Sequence, residues 1–287
     1  MRLPDILAST LVVVIWGINM IVVKLGMQDL PPLLLTGLRF LALAAVTVPF
    51  FHLSRRLMGK VLLLSSVLGV AHFGLLFVGL NGLDAAATAI IIQLTVPFSA
   101  ILARLLYGEK LGARGSLGMV MAFAGVALIA GEPARYDLLS IAIVVVSALA
   151  WACSNVVVKK IGPINVLTLN GWMGLFAAPQ LFLLSAIFER GQMAALASAG
   201  WMGWGAVAYT ALVSSLVAYS LWYRLIGRLP MNQVVPFTLL APVISVVAGV
   251  GLLGDPLGWH KMAGGVLTVL GVALIQLRPS NREKAKP

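Results

Sequence analysis

Charge is what this sequence has least of. Only 10% of its 287 residues are Asp, Glu, Lys or Arg, and 61% are hydrophobic. Ordinary soluble domains carry roughly 25% charged and 45–50% apolar residues. So little charge cannot cover a water-facing surface of normal composition, and so much apolar sequence excludes a disordered chain. The outer surface therefore has to face lipid. Cysteine is nearly missing: Cys153 stands alone, which excludes an internal disulfide and any all-cysteine metal cluster. The three histidines, His52, His72 and His260, lie far apart. With no metal-ligand spacing and no Ser/His/acid order, no enzyme constellation is visible. A phosphate-binding Walker motif is absent as well, which argues against a primary pump. No metal or cofactor is expected.

What is present is a series of apolar runs. Charge-free stretches extend from Ile6 to Val23, Val61 to Leu83, Ala85 to Ala103, Leu138 to Val158, Ile161 to Phe188, Gly191 to Tyr223 and Leu229 to Gly254. Each is long enough to span about 30 Å of hydrocarbon as a helix. Three further runs are less clean. Pro31 to Phe51 carries Arg39, Gly115 to Ala130 is short, and Trp259 to Leu277 begins with His260 and Lys261. The pattern predicts an all-α polytopic membrane protein with ten transmembrane helices, at 6–25, 32–51, 61–81, 85–106, 114–130, 138–158, 165–188, 202–222, 231–252 and 260–277. The first run is too long for a signal-peptide core and lacks a small-x-small site before Lys24, so it is expected to be retained.

The 20 basic residues outnumber the 9 acidic ones, and their placement decides what that excess means. With a cytoplasmic amino terminus, 15 fall on the inner side and only Lys24, Arg135, Arg190 and Lys261 on the outer, with Arg39 left inside a span. Basic residues gather on the cytoplasmic side of membrane proteins. Both termini are therefore expected in the cytoplasm, and the excess is read as topology and attraction to anionic lipid rather than nucleic-acid binding.

The chain also repeats itself. Gly125-Val-Ala-Leu-Ile129 returns as Gly271-Val-Ala-Leu-Ile275, and the same offset of 146 pairs Gly108-Glu109 with Gly254-Asp255, Leu111 with Leu257 and Gly118 with Gly264. Trp16 and Lys24 match Trp151 and Lys159 at an offset of 135. Each copy holds five predicted spans, an odd number, so the second copy must be inverted relative to the first. The expected units are 1–131, 132–277 and a basic cytoplasmic tail at 278–287. Inverted repeats typify many secondary transporters, whose site between the halves opens alternately to each side.

Trp16-Gly-x-Asn19 with Lys24, Pro32 followed by Leu38-Arg39-Phe40, Pro97, Gly108-Glu109-x-Leu111, and the second-copy Trp151, Tyr219 and Pro242 together resemble the EamA branch of the drug/metabolite transporter superfamily. The sequence is similar in particular to bacterial exporters of O-acetylserine and cysteine. The resemblance covers nearly the whole chain. It implies a ten-helix carrier in the cell inner membrane with a cavity between two five-helix halves. One departure stands out: Asp255 is followed by Pro256, where the first copy has Glu109-Lys110.

Candidate site residues follow from polarity and helical spacing. Pro97 and Pro242 interrupt the fourth and ninth predicted spans, and each weakens the helix at the carbonyl four residues earlier, at Gln93 and Thr238. Paired interruptions point to a transporter's site, and kinks that serve packing alone are the alternative. Trp16 and Asn19 share a face at i, i+3, Trp151 and Asn155 at i, i+4, and Ser215, Tyr219 and Trp222 at i, i+4, i+7. An aromatic surface with a polar neighbour suits an amphipathic solute. Trp201, Trp204 and Trp259, at span ends, fit an interfacial belt. Met119, Met121, Gly118, Gly125, Gly264 and Gly271 are read as close packing between the fifth and tenth spans.

Arg39, about eight residues into the second span, is either a snorkelling structural residue or a docking point for a substrate carboxylate, with Lys24 as a possible helper. None of the nine carboxylates, Asp5, Asp29, Asp84, Glu109, Glu132, Asp137, Glu189, Asp255 and Glu283, falls in mid-span. A carrier of cations usually needs a buried anion to offset charge, so zwitterionic or neutral solutes are favoured. His72, near the middle of the third span, is the candidate proton-carrying side chain, since imidazole titrates near neutral pH; simple hydrogen bonding to a neighbour or to substrate is its alternative. The sequence points to a secondary carrier exporting a small, amino-acid-like metabolite, with the direction resting on the resemblance alone. Uptake of another small metabolite such as a nucleobase or vitamin, or drug export, is the alternative, and saturable flux would separate either from a channel or scaffold. The expected partners are a small-molecule solute and the lipid bilayer, not nucleic acid, and nothing in the sequence sets the oligomeric state.

Overall fold

The computed structural model describes residues 1–108, 112–131 and 136–276. Glu109, Lys110, Leu111, Glu132, Arg135 and the 278–287 tail, which entered the loop, charge and domain expectations, lie outside the described residues. Helices α1 (Leu3–Gly26), α2 (Pro32–Thr47), α3 (Arg55–Asn81), α4 (Ala85–Tyr107) and α5 (Gly112–Ala130) are followed by α6 (Leu138–Ile161), α7 (Val166–Phe188), α8 (Trp201–Arg228), α9 (Val235–Leu253) and α10 (Trp259–Gln276). No strand occurs among the described residues. Eight of these helices are long and apolar enough to cross a membrane, and Pro32–Thr47 is a shorter apolar helix. Large apolar side chains such as Leu105, Val120, Phe188 and Val247 stand exposed on outward faces, where only lipid can cover them. This is a polytopic membrane protein.

Differences from the expected boundaries have local causes. Helix α2 stops at Thr47 instead of continuing to 51, because Pro49 has no N–H with which to continue the ladder. Helix α8 runs on past 222 to Arg228 and ends just short of Pro230, the first residue able to break it. A short helix, Gln192–Ser198, crosses the α7–α8 connection inside what reads in the sequence as one apolar run; its Ala195 and Leu196 pack against the core.

One end of the molecule is fastened by side chains capping neighbouring helices. The first turn of a helix leaves N–H groups free and carries a partial positive charge, and the last turn leaves free carbonyls. Lys24, ending α1, donates to the carbonyls of Leu80 (2.8 Å), Asn81 (3.2 Å) and Leu83 (2.7 Å) at the end of α3. Asp29 accepts from Gly203 N at 2.8 Å at the start of α8, and Glu189, after α7, accepts from Leu33 N (2.7 Å) and Leu34 N (3.1 Å) at the start of α2. Asp255, after α9, accepts from Ala86 N at 3.1 Å at the start of α4. Lys261, at the start of α10, pairs with Asp84 at 2.5 Å. Hence α1, α3, α7 and α9 end where α2, α4, α8 and α10 begin. This is the acidic end. The opposite end carries Arg104, Lys159, Lys160, Arg224 and Arg228.

Helices α5 and α10 pack backbone against backbone. A methyl group at Gly118 would strike the Gly271 carbonyl, and one at Gly125 the Gly264 carbonyl and Thr268. Small residues let membrane helices approach this closely. Helix α3 opens with a 3-10 turn, Arg55–Leu57, and within their length the helices depart from α geometry in two pairs of places. Ser65–Gly74 in α3 and Tyr209–Ala218 in α8 are π-helical, and Ile92–Leu94 in α4 and Val235–Leu239 in α9 are 3-10 turns. The 3-10 turns lie just before Pro97 and Pro242. A proline cannot donate to the carbonyl four residues back and crowds it, so the chain tightens through Gln93 and Thr238.

Candidate functional site

The four irregular segments meet around a central cavity of about 410 Å³. Helix α1 contributes Trp16, Asn19 and Met20; α2 gives Arg39; α3 gives His72, Phe73 and Leu76; and α4 gives Gln93, Thr95 and Val96. From the other side come Trp151 and Asn155 of α6, Ser214, Tyr219, Trp222 and Tyr223 of α8, Thr238, Pro242 and Ser245 of α9, and Gln276 of α10. Trp222, Tyr223 and Gln276 belong to the final turns of helices that start at the acidic end, so the cavity extends toward the basic end. A recess of about 80 Å³, bordered by Arg39, Ser154, Asn170, Ser215, Tyr219 and Tyr223, opens beside it.

Trp16, Asn19, Arg39, His72, Gln93, Trp151, Asn155, Tyr219, Trp222 and Thr238, nominated from sequence spacing, therefore surround one space, together with Pro242. Ser215 borders the recess instead. Pro97 borders neither and is buried in α4. Lys24 is removed from the site: its ammonium is held by three carbonyls at the end of α3. Phe73, Tyr223, Ser245, Asn170 and Gln276 were not anticipated. Tyr223 and Ser245 had a usable signal, lying one helical turn from Tyr219 and Pro242; Asn170 and Gln276 had only their polarity in apolar surroundings.

Arg39 does not snorkel. Its side chain is buried, with the residue 2% exposed, because the π-helical part of α8 and the aromatic side chains of α2 and α3 close around it. Nη2 donates to Ser215 Oγ at 2.9 Å, and Ser215 in turn donates to Thr210 O at 2.7 Å. Among the described residues Nε and Nη1 have no partner. The guanidinium carbon lies 4.3 Å from the Phe73 ring centroid and 5.3 Å from that of Phe40, close enough for cation–π attraction. Among the described residues no carboxylate borders the cavity or the recess.

Two aromatic groups flank this charge. Trp16 sits 5.3 Å from Tyr219 and 5.4 Å from Trp222, centroid to centroid, while His72 lies 4.6 Å from Trp151 and 4.5 Å from Phe73. The Ser147 hydroxyl donates to His72 O at 2.9 Å, and both Ser147 O and Oγ lie 3.0 Å from His72 Nδ1. Two acceptors at Nδ1 assign the proton to that nitrogen and leave Nε2 as the other functional atom of the ring. Asn19 Oδ1 and Gln276 Oε1 are buried acceptors without partners among the described residues. Together the walls offer free donors at one place, free acceptors at others and aromatic surfaces between them. Among the described residues no three His, Cys, Asp or Glu side chains are placed to hold a metal ion.

The model of the EamA-like transporter family matches residues 3–131 and again residues 138–277. The chain belongs to this family. Among curated relatives, this EamA-like transporter is 28% identical over 282 residues to the "Probable amino-acid metabolite efflux pump" of Escherichia coli (strain K12), covering 95% of this chain and 94% of the relative. It is 30% identical over 286 residues to the protein of the same name from Salmonella typhimurium, with the same two coverages of 95% and 94%. It is 26% identical over 275 residues to the "Uncharacterized inner membrane transporter YedA" of Escherichia coli (strain K12), covering 92% and 88% of the two chains. A solved crystal structure shares its fold with a TM-score of 0.64 and 19% identity over 100% of both chains. The protein is a transporter rather than an enzyme.

Proposed function

We propose that this EamA-like transporter is a secondary carrier that exports small, amino-acid-like metabolites across the bacterial inner membrane by alternating access, holding the substrate carboxylate on Arg39. The observation that carries the reading is the buried guanidinium with Nε and Nη1 unpartnered on the cavity wall. A planar donor fork matches a carboxylate. Asn19 Oδ1 and Gln276 Oε1 can accept from a substrate ammonium, and Trp16, Tyr219 and Trp222 can pack on its carbon skeleton. Export is supported by the efflux-pump name of two relatives that match along most of the chain.

In this reading ten spans form two inverted five-helix repeats, 1–131 and 132–277, followed by the 278–287 tail. Support comes from the pairing of irregular segments, π-helical in α3 and α8 and 3-10 before a proline in α4 and α9. The basic bias puts both termini in the cytoplasm and the acidic end outside. The described form then faces inward, its outer end fastened by the Asp84–Lys261 pair and the helix caps. Substrate would load from the basic, cytoplasmic side. His72 Nε2, the nitrogen not committed to Ser147, is the atom assigned to any coupled proton.

Binding of L-amino acids to the purified protein tests the site, read by the fluorescence of the cavity tryptophans and checked by flux in proteoliposomes. Arg39→Lys keeps the charge but loses the planar fork; a carboxylate ligand is expected to bind at least about tenfold more weakly, about 1.4 kcal/mol. Trp201, 79% exposed, serves as the control, and its replacement by Ala should leave affinity unchanged. Unaltered affinity in Arg39→Lys would remove Arg39 from the site.

A further inference from the structure

The guanidinium of Arg39 stays charged at every physiological pH, so something must offset that charge between one substrate and the next. The protein does not supply it from its described acids. Asp5 accepts from the Arg2 backbone at 3.4 Å, and Asp137 caps its own helix at Leu139 and Ser140. Asp29, Asp84, Glu189 and Asp255 are committed to helix starts or to Lys261 at the acidic end. The phenyl rings beside Arg39 offset part of its charge but cannot neutralise it.

The unpartnered polar atoms have a telling distribution. Around the 80 Å³ recess beside Arg39 they are N–H donors: Arg39 Nε, Arg39 Nη1 and Asn170 Nδ2. On the main cavity, which Arg39 also borders, the side-chain amides of Asn19 and Gln276 leave acceptor oxygens free and the Ser245 hydroxyl is unpartnered among the described residues. A recess of that size has room for a small ion and a water. Resting on the reading of Arg39 as the carboxylate anchor, we infer that this recess is a chloride site. Chloride bound by Arg39 and Asn170 neutralises the empty carrier, and the substrate carboxylate displaces it.

The experiment is equilibrium dialysis of ³⁶Cl⁻ against the purified full chain in detergent, in a buffer whose own anions are too large for the recess. The parent should bind one chloride per chain saturably, and acetate should displace it while methylamine does not. Arg39→Gln should lose the binding. Asn170→Asp, which places a fixed carboxylate on the recess wall and retains Arg39, should lose it as well while remaining folded by its thermal profile; it decides the matter if Arg39→Gln does not fold. No saturable binding by the parent, or undiminished binding in Asn170→Asp, overturns the inference. Arg39-dependent amino-acid binding without chloride binding overturns this inference alone. Arg39-dependent chloride binding that acetate displaces but no zwitterionic amino acid displaces supports it and refutes the amino-acid substrate.

Discussion

Replacing Asp84 by Asn isolates what the ion pair at the acidic end contributes. Lys261 is 1% exposed and donates to Asp84 Oδ2 at 2.5 Å and to the Pro256 carbonyl at 2.6 Å. Asp84 also caps α4, accepting from Ala87 N at 2.6 Å, and receives the Tyr136 hydroxyl at 2.7 Å. Asparagine caps a helix as well as aspartate does, so Asp84→Asn keeps the cap through Oδ1 but puts an NH2 in place of Oδ2, which removes the charge that faces Lys261 together with the acceptor of the Tyr136 hydroxyl. Removing one partner of a buried pair typically costs about 3–5 kcal/mol. The remaining Pro256 carbonyl argues for the lower figure, about 3 kcal/mol, or roughly a hundredfold in the folded equilibrium. Lys261→Met leaves Asp84, whose side chain is 13% exposed, with its backbone and Tyr136 donors, and should cost less, about 1–2 kcal/mol. The double variant Asp84→Asn/Lys261→Met removes both charges and should recover most of the loss, because neutral replacements of buried pairs are often tolerated. Equilibrium unfolding in mixed micelles with increasing SDS measures all three. Strictly additive losses, or an Asp84→Asn protein as stable as its parent, would refute the reasoning.

Four further outcomes are expected. Reporter fusions at Asp84 and Glu132 should behave as external and those at Arg56 and Lys110 as internal; the reverse pattern, or an external carboxyl terminus, would overturn the proposed orientation. Gly125→Val should destabilise the protein by about 2 kcal/mol or more through overpacking between α5 and α10. Gly205→Ala, in the same unfolding assay, should gain about 0.5–1 kcal/mol, because open space surrounds that glycine within α8. An imposed pH gradient should drive solute flux in proteoliposomes of the parent and fail to do so in His72→Gln, with downhill exchange retained; a full response in the variant would remove His72 from coupling.

Much of the candidate cavity was legible because a helix converts spacing into a shared face. Trp16 with Asn19, Trp151 with Asn155, and Tyr219 with Trp222 lie within one or two turns of each other, and each pair borders the same space. Pro242 led to Thr238 by the geometry of the missing N–H alone. Pro97 led to Gln93 in the same way: the 3-10 break in α4 borders the cavity, while the proline ring itself is buried. Helical spacing also nominated Ser215, but its position in the π-helical segment turns it to Arg39 and the recess rather than to the main cavity.

By itself the sequence determined the membrane class, the helices and most of their ends, since those depend on hydrophobic length, charge-free runs and prolines, all local quantities. It also fixed which glycines could let two helices meet. Only the tertiary structure decided where the polar groups are used. Lys24 and Arg39 are both cations within apolar helices, and nothing local distinguishes their fates. The end of α3 falls beside Lys24 and supplies three carbonyls to hold it, whereas α8 approaches Arg39 with one hydroxyl and leaves Nε and Nη1 buried without a partner among the described residues. Hydrogen-bond satisfaction depends on neighbours more than 50 residues away for Lys24 and more than 170 away for Arg39, and that is a property of packing, not of the order of residues along one helix.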